Sequence, residues 1–312
     1  MPSLTIRLFG KFSAEVDGQR LPGIDGGKLQ ELFSYLLLNH SRPHSREVLA
    51  SMLWGDCPTA QSKKYLRQAL WQLQTALGGS EPKLLSPLLV VDTDWVNVNS
   101  DADYWFDVFE FERSFGEAQG TAGQQFDPDT ATRVAKAVEL YRGELLEGCY
   151  DDWCLVERER LQNMYLMMLD KLMSYSEAAK RYEEGIGYGA RILGCDRARE
   201  HTHRRLMRIY YLAGDRTSAL RQYDRCVTAL KEELGVRPAR KTANLFEQIR
   251  SDQFADGISA FDSGGMAAPN SQIREALGRL RQVKTALVDF HRQIKHDIQA
   301  LEVLLKGKRD GS

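Results

Sequence analysis

The sequence predicts a mainly α-helical protein that opens with a small β-sheet, and three observations carry that expectation. Alternation of apolar with polar residues is confined to short stretches of the first hundred residues. From about residue 130 onward nearly every segment repeats its apolar residues at helical spacing. A seven-residue apolar period then runs through residues 271–306.

The N-terminal elements follow in order. Leu4, Ile6 and Leu8 alternate with Thr5 and Arg7, which gives a strand with one buried face, and Val16-Asp17-Gly18 supplies a turn. A helix starts near Lys28, with Leu29, Leu32, Phe33, Leu36 and Leu37 on one face, and stops at Asn39-His40-Ser41 ahead of Pro43. A shorter helix starts at Ser45 as N-cap, turns Val48, Leu49, Met52 and Leu53 inward, and ends at Trp54-Gly55. A third helix runs from about Ser62 to Leu77, with Leu66, Leu70, Leu73 and Leu77 aligned, and Gly78-Gly79 closes it. Two strands, 88–91 and 95–98, flank the turn Asp92-Thr93-Asp94. Strands, three helices and a hairpin give residues 1–100 the order of a winged helix-turn-helix. Its helices share one small core, leaving the outer face of the third free to enter a major groove.

Behind it, residues 101–255 read as a TPR-like helical domain. Leu206, Ile209, Tyr210, Gly214, Ala219, Leu220, Tyr223 and Pro238 fall where a 34-residue helix-turn-helix repeat places its packing residues. In that pattern Gly214 ends one helix, Ala219 admits the close approach of the next, and Pro238 stops it. The Gly-rich stretch 116–123 reads as a surface loop, since helical pattern stands on both sides. Residues 256–270 form a linker. In 271–306, Ile273, Leu280, Leu287, Ile294 and Leu301 recur at sevens, with Leu277, Ile298 and Leu305 interleaved and Lys284 and His291 as polar interruptions. That pattern suits a coiled coil joining two copies into a homodimer. The alternative is a long helix folded back on its own chain, with Val283 and Phe290 widening the apolar face.

Composition removes several function classes. Apolar content of 43%, charged content of 27% and a formal net charge of −1 describe an ordinary globular protein without an overall basic field. The first hundred residues carry ten basic against nine acidic side chains, so contact with nucleic acid would require segregated charge. No apolar run approaches the roughly 18 residues of a membrane span, and MPSLTIRLFG lacks the pattern of a signal peptide, so a cytoplasmic protein is expected. The five cysteines are scattered and form no CxxC pair, which argues against a disulfide framework or a zinc site; Cys149 and Cys154 read as reduced thiols near a helix start. Gly23-Ile24-Asp25-Gly26-Gly27-Lys28 lacks the spacing of a phosphate loop, and His201 and His203, two apart on a helix, point to different faces and suit no metal. With neither GxSxG nor HExxH in the chain, no catalytic residue, metal or cofactor is expected.

Three segments carry a family resemblance: His203-Arg204-Arg205-Leu206-Met207, the run Ala219-Leu220-Arg221-Gln222-Tyr223-Asp224-Arg225-Cys226, and Glu232-Glu233-Leu234-Gly235-Val236-Arg237-Pro238. They resemble the bacterial transcriptional activator domain of the SARP family of streptomycete regulators. Trp153, Glu157, Arg158, Arg160 and Leu161 are similar to the start of that domain. Residues 4–10, Leu66-Arg67-Gln68-Ala69-Leu70-Trp71-Gln72-Leu73 and the hairpin after them resemble the family's OmpR-type winged helix. The resemblance implies sequence-specific binding of double-stranded DNA at direct repeats in promoters, and activation through contact with RNA polymerase holoenzyme. It assigns the polymerase contact to residues 55–61. Gln72 and Gln74 stand where the family often has Arg or Lys, and the wing turn here is acidic.

The candidate DNA-binding residues are Lys63, Lys64, Arg67, Gln68, Trp71 and Gln74, all off the leucine face of the third helix. Lys63, Arg67, Trp71 and Gln74 form one outward stripe. Arg67 has the fork to read guanine, Gln68 suits adenine, and Lys63 and Lys64 near the helix start suit phosphate. Trp71 fits a groove contact or a half-buried core position equally. Arg46, beside the Ser45 cap, fits a phosphate contact or an ordinary surface arginine. Two other readings stand beside DNA binding. In one, the helical domain senses a small-molecule or nucleotide effector; in the other, the chain is a TPR-type protein-interaction scaffold whose winged helix does not bind DNA.

Overall fold

In a computed structural model the described residues are 4–24, 26–78 and 87–253, so the linker and the heptad of 271–306 lie outside them. Strand β1 (Leu4–Arg7) buries Leu4 and Ile6 completely, and Leu8 continues that buried side. It pairs antiparallel with β2 (Ser13–Val16), which turns into β3 (Gln19–Arg20). Asp17 and Gly18 take φ of 50° and 77°, the pair of positive angles that a two-residue hairpin turn requires.

Helix α1 (Gly27–Leu38) buries Leu32, Phe33, Leu36 and Leu37. After β4 (His44–Ser45) come α2 (Arg46–Leu53) and α3 (Thr59–Gly78), then the hairpin β5 (Leu89–Val91) and β6 (Trp95–Val98). Strand β6 lies between β4 and β5 in a second, three-stranded sheet. Within α2 the sequence pattern erred at one position: Leu49 and Leu53 are buried but Val48 is 57% exposed, because eight residues present only one narrow inner stripe. Ser45 occupies the N-cap without a side-chain hydrogen bond, and the Arg46 amide instead donates to the Asp94 carbonyl in the hairpin turn. Helix α3 begins at Thr59, earlier than the leucine spacing suggests, since the Pro58 carbonyl already accepts from the amides of Gln61 and Ser62.

Strand β7 (Tyr104–Phe106) runs parallel to β1 on the side away from β2 and leads directly into α4 (Asp107–Ala118). Asp107, 2% exposed, accepts from the amides of Leu8, Phe9 and Val108. Beyond β1 the chain also pairs with the loop at 144–147: Leu146 donates to the Leu8 carbonyl, Gly10 to that of Glu144, and Glu147 to that of Gly10. Arg158 holds that loop from behind, donating to the carbonyls of Leu145, Leu146 and Cys149. The N-terminal sheet is thereby tied to the helical region through backbone polar groups that each need a partner once buried.

The helical region continues with α5 (Pro128–Val138), α6 (Asp152–Ala178), α7 (Tyr182–Cys195), α8 (Glu200–Leu212), α9 (Arg216–Leu234) and α10 (Arg240–Arg250), and successive members from α6 to α10 pack side by side. Asp127 and Asp215 cap α5 and α9 by accepting from the amides of Thr130 and Ser218. Gly189 lies against Leu206 so closely that a Cβ there would sit 2.6 Å from Cδ2, which sets the α7–α8 spacing. Helix α9 ends at Gly235, in the left-handed region at φ 67°, three residues before Pro238. The Gly-rich stretch is partly absorbed into α4, and the Lys171 ammonium pins its remainder by donating to the carbonyls of Ala118 and Thr121.

Candidate nucleic-acid interface

Helix α3 divides sharply by face. Leu66, Leu70, Leu73 and Leu77 are at most 7% exposed, while Lys63, Lys64, Arg67, Gln68 and Gln74 are exposed and Trp71 is 64% exposed. The core alternative for Trp71 is therefore excluded. Its indole lies outside, on the same stripe as Arg67. The helix start is fixed by Ser62, which is buried and donates through Oγ to the Thr59 carbonyl.

Two neighbours shape the charge of this face. Lys63 Nζ bonds to Oε1 of Glu47 on α2, and this partner holds the Glu47 carboxyl below its ordinary value. Arg46 is half-buried rather than projecting freely: its guanidinium donates at 2.9 Å to the Asp92 carbonyl, and its amide donates to that of Asp94. Arg46 thus clamps the hairpin turn to the start of α2.

Sequence reasoning missed two members of this surface. Glu47 is one. Trp95 is the other: it pairs in register with Ser45, and its ring is 50% exposed beside the acidic turn. The alternation Trp95-Val96-Asn97-Val98, with Val96 and Val98 buried, already carried that signal. The loop between α2 and α3 exposes Gly55, Asp56 and Pro58, and residues 59–61, expected as loop, are instead the exposed first turn of α3. A cavity of about 350 Å³ between the two helices is lined by Glu47, Val48, Trp54, Cys57 and Lys63 among others.

The winged helix meets the helical domain through α1. Tyr35 packs edge-on against Trp153 at 5.4 Å, and Lys28 bonds to Glu31 and lies 3.6 Å from Asp151. Burial, and the neighbouring Asp151, hold the Glu31 carboxyl above its ordinary value despite Lys28. The two histidines have separate surroundings. His203 Nε2 meets the Arg197 carbonyl and Nδ1 meets the Gln222 amide, so Nε2 carries the proton and the ring is neutral, its basicity lowered by burial.

Residues 106–250 match the model of the bacterial transcriptional activator domain. Transcriptional regulatory protein EmbR of Mycobacterium tuberculosis (strain H37Rv) is 24% identical over 262 residues, 81% of this chain and 65% of EmbR. Regulatory protein AfsR of Streptomyces coelicolor is 24% identical over 250 residues, 79% of this chain and 24% of AfsR. A solved structure of M. tuberculosis EmbR in complex with a low affinity phosphopeptide shares the fold, with a TM-score of 0.66 at 21% identity, over 82% of this chain and 67% of that one. The chain thus spans about two thirds of EmbR and about a quarter of AfsR. Residues 106–250 thus match a bacterial transcriptional activator domain, and the chain as a whole is similar to the regulatory proteins EmbR and AfsR.

Proposed function

We propose that this chain is a transcription regulator that binds duplex DNA by laying α3 in the major groove. The observation that carries the reading is the two-faced α3: its leucines are buried and Lys63, Lys64, Arg67, Gln68, Trp71 and Gln74 are all solvent-facing. Arg67 reads a guanine through its bidentate fork, Gln68 an adenine, and Lys64 and Arg46 hold phosphate oxygens, joined by Lys63 where Glu47 releases it. Residues 55–61, the α2–α3 loop and the first turn of α3, are the surface offered to RNA polymerase, and two copies occupy the direct repeats of a promoter. Among the described residues no helix is long and apolar enough to cross a membrane.

Selection from random genomic fragments, followed by mobility shift on the recovered sequence, tests this. Arg67→Ala is expected to cost about 1–3 kcal/mol of binding and to relax preference at one base pair. The pairing of Lys63 with Glu47 favours a second reading, an interaction scaffold whose winged helix does not engage DNA. Selection that recovers no sequence preference for the wild-type protein would decide for the scaffold.

A further inference from the structure

Helices α7, α8 and α9 enclose a groove of about 530 Å³, within the size range of small-ligand sites. Its floor is apolar, formed by Ile186, Leu193, Leu206 and Ala229. The deep polar groups are satisfied: His203 and Gln222, 3% and 2% exposed, bond to each other, and His203 also bonds to the Arg197 carbonyl. The rim differs. Arg197 is engaged by Glu232 and Glu233, whereas Arg225 makes a single 3.3 Å bond to the Gln222 side chain, and neither Arg225 nor Asp224 is in an ion pair among the described residues. The groove therefore presents one uncommitted charge of each sign above an apolar floor.

A second observation concerns α7. Of its four glycines, two are explained by packing, since a Cβ at Gly185 would meet Ile209 and Ser176 and one at Gly189 would meet Leu206. Gly194, which lines the groove, has nothing within 4 Å of a built Cβ. Gly194 is the penultimate residue of α7, and no neighbouring atom requires a glycine there. What its missing side chain leaves is room in the groove.

We propose that this groove binds a small amphipathic zwitterion, of the class of an α-amino acid or dipeptide with a bulky apolar side chain. Arg225 takes the carboxylate, Asp224 the ammonium, and the apolar side chain lies on Leu206, Ile186 and Leu193. Arg225 and Asp224 are exposed, so their replacement removes no buried apolar packing, and Arg225→Gln gives up one 3.3 Å bond to Gln222.

The test is titration calorimetry on the full chain without DNA, which makes its outcome independent of whether α3 binds a duplex. The probes are phenylalanine, the dipeptide Leu-Phe, phenylpropanoate (no ammonium) and phenethylamine (no carboxylate). Phenylalanine or the dipeptide is expected to saturate one site. Arg225→Gln, Asp224→Asn and loss of either charge from the probe should each weaken it about tenfold or more, and Gly194→Val should weaken it as well by narrowing the groove. Absence of saturable binding by either zwitterion overturns the proposal, as does binding that Arg225→Gln and Gly194→Val leave unchanged. Equal binding of phenylpropanoate and phenylalanine overturns the assignment of Asp224. Circular dichroism of each variant separates a lost site from a lost fold.

Discussion

Leu8 and Asp107 are 99 residues apart in sequence and joined by hydrogen bonds of 3.0 Å from the Leu8 amide to both carboxylate oxygens. Asp107 also accepts from Phe9 at 3.1 Å, so one acid satisfies the backbone where β1 ends. Burial outweighs those bonds and pushes the carboxyl up to about 6 from its ordinary 3.8.

The sign of the resulting pH dependence follows. Between pH 3.8 and about 6 the folded chain holds a proton on Asp107 that the unfolded chain releases. This group therefore favours folding fully below 3.8 and loses that contribution as pH rises through about 6, a span worth roughly 3 kcal/mol. Asp127 and Asp215, held low by bonds from Thr130 and Ser218, act in the opposite sense, stabilising above their ordinary range and losing that effect on acidification. Asp107→Asn offers one acceptor oxygen in place of two and should be less stable throughout, by a margin that widens from pH 8 to pH 5. Urea denaturation of both proteins across that range checks it, and a constant margin would show that Asp107 does not titrate in the window.

Glycines of α7 give a paired prediction on stability. Gly189→Ala drives a methyl group to 2.6 Å from Leu206 Cδ2 and 2.8 Å from its Cγ, in a buried contact, and should cost about 1–3 kcal/mol. Gly187→Ala meets nothing within 4 Å and should stabilise the protein by about 0.5–1 kcal/mol through helix propensity. Thermal melts that shift the two variants in the same direction would disprove this account of the α7–α8 contact.

How much of this was legible beforehand depended on sequence separation. The stripe of α3 could be read because the helical period alone fixes which residues share a face: Leu66, Leu70, Leu73 and Leu77 inward, Lys63, Arg67 and Gln74 outward. Trp71 could not, since an indole suits either environment and only the packed neighbours decide. Strand β7 is three residues long, too short for alternation to register, and exists through its parallel pairing with β1. Asp107 carries no local signature because its partners are supplied by the other end of the fold. Glu47 was overlooked for a related reason: its bond to Lys63 spans 16 residues and depends on how α2 crosses α3.

Trp71 and Trp95 extend the proposed DNA face with apolar area. At 64% and 50% exposure neither ring contributes much to the core, so Trp71→Ala should change folding stability by no more than about 0.5 kcal/mol. The same change should weaken binding to the selected DNA, as loss of an aromatic contact does. Denaturation and mobility shift on one preparation give both quantities. Unchanged binding with unchanged stability would remove Trp71 from the interface and leave its exposure without a physical explanation.

The pairing of Glu47 with Lys63 makes the sharpest test of the charge distribution. While Lys63 is paired with Glu47 its charge is offset, and a carboxylate carried to the duplex repels it. Glu47 is 75% exposed and the pair lies in high dielectric, so removing it costs the fold little. Glu47→Gln should therefore raise affinity at low salt and steepen the fall of log K with log salt by about 0.9, the effect of one additional phosphate contact. The ratio of specific to non-specific binding should stay as it was, because phosphate contacts carry no sequence information. Lys63→Gln should instead leave the wild-type slope nearly unaltered, since the wild-type lysine is already neutralised by its partner. Titrations of the two variants at several salt concentrations distinguish these outcomes. A Glu47→Gln protein with wild-type affinity and slope would mean that Lys63 does not face phosphate in the complex.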